Sequence, residues 1–413
     1  MRLTSLGLMV LLAACKEPPK GEAHDAAVVA AAFPSAREDS GGSAPNSGAA
    51  VGVSGSDGRT RVLDPVLGES LDEVRDAGIR SPPLLFSEPR LASGLLADVR
   101  AAGLVVVFAS ERSGAPQVHR WDGEFERALT AEPAHHLQDL AVRHREALVS
   151  RVDGETEQLV AVNLDDAGVR VVGPRMEKAH GAVVSADERL VAFEASLKDA
   201  ASIAVLPFDG AGAPSAVAQL GQTGSFQPAL TLDGRLVFTN SSTGDPELYV
   251  QTLDGGAPTQ LTAFHLEDFG AVPAPDGQRF AFVSNREGSD RIFVQRLDGR
   301  NVSRLMAGAR AQDDSERDPV WMPDSKTVLV TVRVKGVSRI ARVDVGTHKT
   351  LWTSSGPGND QLPRPSPDGR FIAFVSDRMG NPDIFIMRAN GNDATRVTSD
   401  PAPEYGPRWS TLR

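Results

Sequence analysis

Along most of the chain, short apolar runs alternate with polar turns rich in Asp, Asn, Gly and Ser. In residues 366–378, SPDGRFIAFVSDR, a Pro-Asp-Gly turn precedes the run Phe371, Ile372, Ala373, Phe374 and Val375, and a second polar turn follows. Asp-Gly between apolar runs predicts a hairpin, because the turn needs positive φ angles that Gly and Asp tolerate. A third run covers 383–388, an Asn390-Gly391 turn follows, and a short fourth run covers 394–398. Four short strands joined by tight turns predict one antiparallel sheet of propeller-blade size.

The pattern repeats. RFIAFVSDR recurs as RFAFVSNR from Arg279, RLVFTNSS from Arg235 and RLVAFEAS from Arg189, and more weakly as TVLVTVR from Thr327, EALVSRV from Glu146 and LVVVFASER from Leu104. Successive starts lie 42 to 48 residues apart, the period of four-stranded propeller blades. The runs are nearly continuous rather than alternating, as expected of strands covered on both faces. Seven units predict an all-β, seven-bladed propeller of four-stranded blades, with six blades as the alternative.

Closure follows from counting strands. The first unit offers runs at 104–110, 117–121 and 124–130, with no inner strand before them. The chain ends on Glu404-Tyr405-Gly406-Pro407-Arg408-Trp409, which matches Glu316-Arg317-Asp318-Pro319-Val320-Trp321 at Glu, Pro and Trp. The C-terminal stretch is therefore expected to supply the missing strand and remove the open edge.

Ahead of the repeats, Arg2 followed by the apolar stretch 6–12 reads as an export signal covering 1–14. Leu12-Ala13-Ala14-Cys15 resembles the bacterial lipobox, which makes Cys15, the only cysteine, the expected lipidation site and leaves no intramolecular disulfide. Lys16 resembles the residue that follows the cysteine in lipoproteins sent to an outer membrane. Residues 15–60, rich in Ala, Gly, Ser and Pro, read as a tether that cannot bury enough surface to offset its ordering entropy. Residues 61–103, with a short helix expected at 69–77, read as an extension packed on a propeller that spans 104–413. The net charge of −11 argues against nucleic-acid binding, and the lipid is the expected hold on the membrane.

The strongest units, 363–392 and 272–300, carry Pro-Asp-Gly, an apolar strand, Ser-Asp/Asn-Arg-x-Gly and an Asp-Ile-Phe-type strand. They resemble the WD40-like Pro-Asp propeller repeats of the TolB-like family. That resemblance implies a periplasmic envelope protein that binds protein partners, such as a peptidoglycan-associated lipoprotein or a Tol-type component, and it implies no chemistry of its own. Two departures stand out: family members carry a sizeable α/β domain before a six-bladed propeller, and the soluble periplasmic ones lack a lipobox.

Candidate chemistry concentrates where inner strands begin. Alignment on the Pro-Asp turns brings His136, Ala179, Ser225, Asp268, Glu316, Asp360 and Glu404 to one ring at the channel mouth. The four acids, with Arg317 and Tyr405 from the next positions, form the candidate partner-binding site. They suit a basic partner segment or a cation such as Ca²⁺, which prefers oxygen ligands. They equally suit loop acids that satisfy backbone donors or face water. Arg112, Arg286 and Arg378 recur at one turn and either contact an anion or pin their own hairpin or a neighbouring blade. Trp321 and Trp409 share an inner-strand position suited to packing.

The histidines, among them the adjacent pair His135 and His136, fall at different places in their units, so no shared metal site is expected. There is no G-x-S-x-G elbow, P-loop or dinucleotide fingerprint. The reading is a non-enzymatic, monomeric envelope lipoprotein on the periplasmic side of the outer membrane, without a cofactor. The alternatives are a glycan-binding propeller or a metal-dependent polysaccharide lyase or hydrolase, since some propeller lyases resemble this fold.

Overall fold

The computed structural model describes residues 53–54, 60–61, 93–131, 140–143, 145–197, 200–217, 220, 224–253, 256–307 and 314–411. Cys15, the 69–77 segment, His135 and His136 lie outside them. The chain divides into two compact units, Met1–Val62 and Leu63–Arg413. In the first, Val53–Ser54 pairs antiparallel with Thr60–Arg61. No described helix is long and apolar enough to cross a membrane.

The second unit holds seven four-stranded antiparallel sheets, so the propeller has seven blades and not six. In chain order the inner strands of blades 2 to 7 are Ala141–Arg143, Ala179–Val184, Ser225–Leu230, Asp268–Pro273, Ser315–Trp321 and Asp360–Pro365. Blade 1 takes its inner strand, Glu404–Thr411, from the end of the chain and continues with Leu104–Ser110, Gln117–Trp121 and Glu126–Ala128. Closure therefore runs through main-chain hydrogen bonds between the two ends of the repeat region, and the register pairs Leu104 with Thr411 and Ser110 with Glu404.

Hydrophobic packing explains why isolated four-stranded units hold together as a ring. Short sheets are marginal alone, and here seven apolar cores of described residues each join two neighbouring blades. Phe280 and Phe282 of blade 5 pack on Val237 and Leu248 of blade 4, and Phe374 of blade 7 packs on Leu329 of blade 6. Each such aromatic, fully buried, contributes about 1.5–3 kcal/mol. Second strands are consequently buried on both faces; Phe371–Ser376 is buried at every position. The outer strands are short and mostly exposed, as in Val169–Val171 and Thr259–Gln260, which limits edge pairing with other chains.

A helix, Ser93–Ala101, covers the boundary where the ring closes. Its Leu95 and Val99 enter the core shared by blades 7 and 1, and Asp98 pairs with Arg388 of blade 7 at 2.6 Å. On the blade 1 side, Gly123 has φ +97°, and a Cβ there would lie 2.9 Å from Arg100 Cβ, so the approach of helix and turn requires glycine.

The inner strands share one irregularity. Two residues after Ala179, Ser225, Asp268, Glu316, Asp360 and Glu404, the backbone enters the left-handed region at Gly181, Gln227, Gly270, Asp318, Leu362 and Gly406 (φ 52° to 65°). The register shifts there in blades 1 and 3 to 7, as a β-bulge produces. Three bulge N–H groups donate to the preceding blade: Gln227 to Glu194 Oε1 (2.9 Å), Gly270 to Gln227 Oε1 (2.9 Å) and Leu362 to Thr331 Oγ1 (3.3 Å). The bulge thus turns an unused ladder donor into a stitch between blades.

Candidate functional site

The ring expected at the channel mouth exists in register: Ala179, Ser225, Asp268, Asp360 and Glu404 each begin an inner strand, and Glu316 is the second residue of its strand. The four acids, however, do not present an open arc. Asp268, Glu316, Asp360 and Glu404 are completely buried, and each is engaged by an arginine. An unpaired carboxylate at the mouth would face water, whereas these are drawn inward by cations, from their own blade for Asp268, Asp360 and Glu404 and from blade 5 for Glu316.

In blade 5 the Arg286 guanidinium donates from Nη2 to Asp268 Oδ2 (2.6 Å) and from Nε to Ser284 Oγ (2.8 Å). Blade 7 repeats this with Arg378, Asp360 Oδ1 (2.6 Å) and Ser376 Oγ (2.9 Å). Blade 1 does so with Arg112, Glu404 and Ser110. Charge-assisted bonds of this geometry fix the turn between strands 2 and 3 to the start of strand 1. Arg286 also lies over the rings of Phe293 (4.5 Å) and Phe264 (4.7 Å), and Arg378 over Phe385 (5.0 Å). The recurrent arginines therefore pin their own blades.

Burial leaves its mark on these acids. The second oxygens, Asp268 Oδ1, Asp360 Oδ2 and Glu404 Oε2, accept no hydrogen bond from the described residues. Burial pushes Asp268 above the usual carboxylate range despite Ser284 and Arg286, and pushes Glu404 up to about 7 despite Arg112. Arg112 serves more than Glu404, since Glu126 lies at 2.5 Å and Asp400 at 3.9 Å.

Glu316 follows a different rule. In blades 1, 4, 6 and 7 a hydroxyl just after strand 4 caps an N–H of strand 3: Thr130 for Val118, Thr262 for Leu248, Ser354 for Ile340 and Thr398 for Ile384. Blade 5 has Met306 at that place, and Glu316 of blade 6 reaches across to accept from Ile292 N (3.0 Å), with Arg304 at 3.4 Å. The acid position is thus reused for a missing cap.

The surface of this face is built by other residues. Arg317 is exposed and pairs with Asp290 at 2.5 Å. Tyr405 is half-buried, with its hydroxyl pushed up to about 12 by burial and then by Glu111. The loop entering Asp268 exposes Phe264 (44%) and Leu266 (42%), and the strand 2–3 turn of blade 7 exposes Met379. Beside them Glu267 is raised by burial and then by Asp290 and Asp245, a local excess of negative charge. The residue pattern did not single out Phe264, Leu266 and Glu267; the available signal was two large apolar residues in a loop whose counterparts are Ser, Pro and Gly-rich.

Among the described residues no group of three or more His, Cys, Asp or Glu is placed to hold a metal ion. His119 contacts Glu126 (3.0 Å), His180 contacts Glu157 (2.8 Å) and His348 contacts Leu305 O (3.0 Å), three separate local bonds. Trp321 and Trp409 tie adjacent inner strands, donating from Nε1 to Val272 O and Arg364 O at 2.9 Å each.

Comparison with known proteins agrees with this architecture. A family model described as the TolB beta propeller domain matches residues 183–356 and 311–412. The protein TolB homolog of Chlorobium luteolum is 32% identical over 152 residues, 37% of this chain and 34% of that protein. The Tol-Pal system protein TolB of Anaeromyxobacter dehalogenans is 29% identical over 147 residues, 32% of this chain and 29% of that protein. The chain thus spans well under two thirds of these relatives. Among solved structures, a puromycin-hydrolyzing peptidase of Mycobacterium tuberculosis has a TM-score of 0.55 at 16% identity, covering 73% of this chain and 54% of that one. The oligogalacturonate lyase of Vibrio parahaemolyticus has a TM-score of 0.54 at 12% identity, covering 71% and 84%. At such identity these two share the fold alone.

Proposed function

Since the chain belongs to the TolB β-propeller domain family, we propose that it is a protein-interaction propeller of the cell envelope, acting without chemistry of its own. Its partner is an envelope protein of the Tol-Pal type, a reading supported by the Tol-Pal system protein among its relatives. In this reading Cys15 carries the lipid, the anchor lies on the periplasmic side of the outer membrane, and residues 15–60 give the propeller its reach.

The observation that carries the reading is the exposed rim at the start of blade 5. Phe264 and Leu266 offer apolar area that a partner can cover, and Arg286 beneath Phe264 is already committed to Asp268. Interface cores favour such aromatic anchors on a rigid support. The negative charge of Glu267 and Asp245 favours a partner segment with a basic group beside its apolar one. Arg317 and Tyr405 lie on the same face and extend the contact. The buried acids take a supporting role: they hold the turns from which the rim projects.

Capture from detergent-solubilised envelope with the full chain tests this. A specific protein should be held by the parent and by Leu232→Asp, which alters an exposed apolar residue on the opposite face, and lost by the Phe264→Asp, Leu266→Asp double variant. Equal capture by all three would remove the rim from the account. Retention on cell-wall glycan with no protein captured would favour a glycan-binding propeller instead.

A further inference from the structure

Four residues after Ala179, Ser225, Asp268 and Glu316, blades 3 to 6 place Val183, Ala229, Val272 and Val320, opposite Ala192, Val237, Ala281 and Leu329. At the identical register, blades 7 and 1 place Arg364 and Arg408, opposite Ala373 and Val107. These two strands are neighbours, tied by the Trp409 indole bond to Arg364 O. Two cations therefore stand side by side where the rest of the described ring is apolar.

Arg364 is the more exposed to this tension. Its Nη1 donates to Pro363 O at 2.8 Å, and no other side-chain hydrogen bond or ion pair joins it to a described residue. It is enclosed deeply enough for burial to lower its pKa, with Asp318 of blade 6 opposing that shift, yet part of its surface still meets solvent. Its other guanidinium nitrogens have no partner among the described residues and are not among the fully buried atoms, so on an innermost strand they meet solvent at the channel. Asp318 is close enough to feel but makes no ion pair with it, and the Arg408 guanidinium, which donates to Pro407 O at 3.0 Å, adds a second positive charge. A guanidinium is a rigid fork of donors, and the unmet donors of Arg364 in a confined site match an oxyanion.

We propose that the channel holds an oxyanion-binding site centred on Arg364, with Arg408 as the second cation, which takes a carboxylate or phosphate group. The site is separate from the rim of blade 5 and does not depend on it. Asp318 acts as a built-in competitor that weakens binding, and its removal strengthens it.

Titration calorimetry of the full chain at constant ionic strength, with chloride as the balancing anion, tests this using sodium acetate in one arm and inorganic phosphate in the other. A saturable heat in either arm is expected and identifies which oxyanion the site prefers. Arg364→Met should weaken that binding at least tenfold, and Asp318→Asn should tighten it several-fold. Circular dichroism confirms that each variant is folded, and should Arg364→Met fail to fold, the gain in Asp318→Asn carries the test. Absence of saturable heat in both arms, or unchanged binding in Asp318→Asn and in a folded Arg364→Met, would overturn the site.

Discussion

Blade 4 and blade 7 begin their inner strands at the same register position with opposite chemistry. Blade 7 buries an ion pair, Asp360 with Arg378. Blade 4 buries a neutral pair, in which Asn240 Nδ2 donates to Ser225 Oγ at 2.9 Å. One ties the strand 2–3 turn and the other the end of strand 2 to the start of strand 1, so fixing this region to the inner strand does not need charge. What differs is the penalty for failure. A buried carboxylate that loses its cation is stranded in a medium that cannot solvate it, whereas a serine that loses its amide forfeits one ordinary bond. The charged blades are thus held to one arrangement more strictly, and the strand 2–3 turns that carry their arginines are correspondingly fixed.

The sharpest way to break this contrast is to remove one cation. Arg378→Met should destabilise the propeller by about 3–5 kcal/mol, read from urea unfolding. Adding Asp360→Asn in the same chain should recover most of that loss, because the stranded charge is gone. A double variant no better than the single would show that packing of the arginine stem, and not its charge, holds the turn.

In the neutral blade, Asn240→Ala should cost less, about 1–2 kcal/mol, by the same measurement. A loss as large as that of Arg378→Met would erase the distinction between the two blades.

Blade 1 offers a pH test. The Glu404 carboxyl, at about 7 in the folded chain, stands above the ordinary value of 4.5. Between those values the folded state keeps a proton that the unfolded state has released, so stability falls as pH rises from 4.5 to 7 and stays lower above. Asp268, also raised, contributes with the same sign. Glu404→Gln should flatten that slope by roughly 1–2 kcal/mol, a figure kept below the full shift because the charges of Arg112 and Glu126 are coupled to the group. Unchanged pH dependence of the thermal midpoint in the variant would remove Glu404 from the closure account.

The smallest effect concerns the reused acid. Met306→Thr would supply the hydroxyl that other blades have, and Glu316→Gln should then cost about 0.5–1 kcal/mol less than in the parent. A double-mutant cycle with no coupling would show that Glu316 is not standing in for that cap.

Much of this is legible in the residues alone. Strand runs such as Phe371 to Val375, the seven units and the strand donated by Glu404 to Trp409 all follow from apolar runs and turn residues, because tight turns and doubly covered strands constrain residue type strongly. The ring of acids is also placed in register. Its meaning is not: Asp268 and Arg286, like Asp360 and Arg378, are separated by 18 residues, a fixed spacing that links the strand start to the strand 2–3 turn. Burial at the mouth depends on how neighbouring blades close over the strand starts, which no single repeat records. The helix Ser93–Ala101 is not legible in the chain because, among its described residues, only Leu95 and Val99 are fully buried, in a core with Trp121 and Phe371 that is assembled from separate parts of the sequence. The stand-in of Glu316 for the hydroxyl that Met306 lacks crosses a blade boundary and is equally silent in one unit.

The central claim is that the face where inner strands begin binds a protein through its exposed rim while the buried acids only support it. Hydrogen–deuterium exchange of the full chain, alone and with the captured envelope partner, tests that claim most directly. The account predicts protection in the loops 263–267 and 285–290 and around Arg317 and Tyr405, with little change at the opposite turns 231–234 and 275–278. Protection confined to those opposite turns would contradict it.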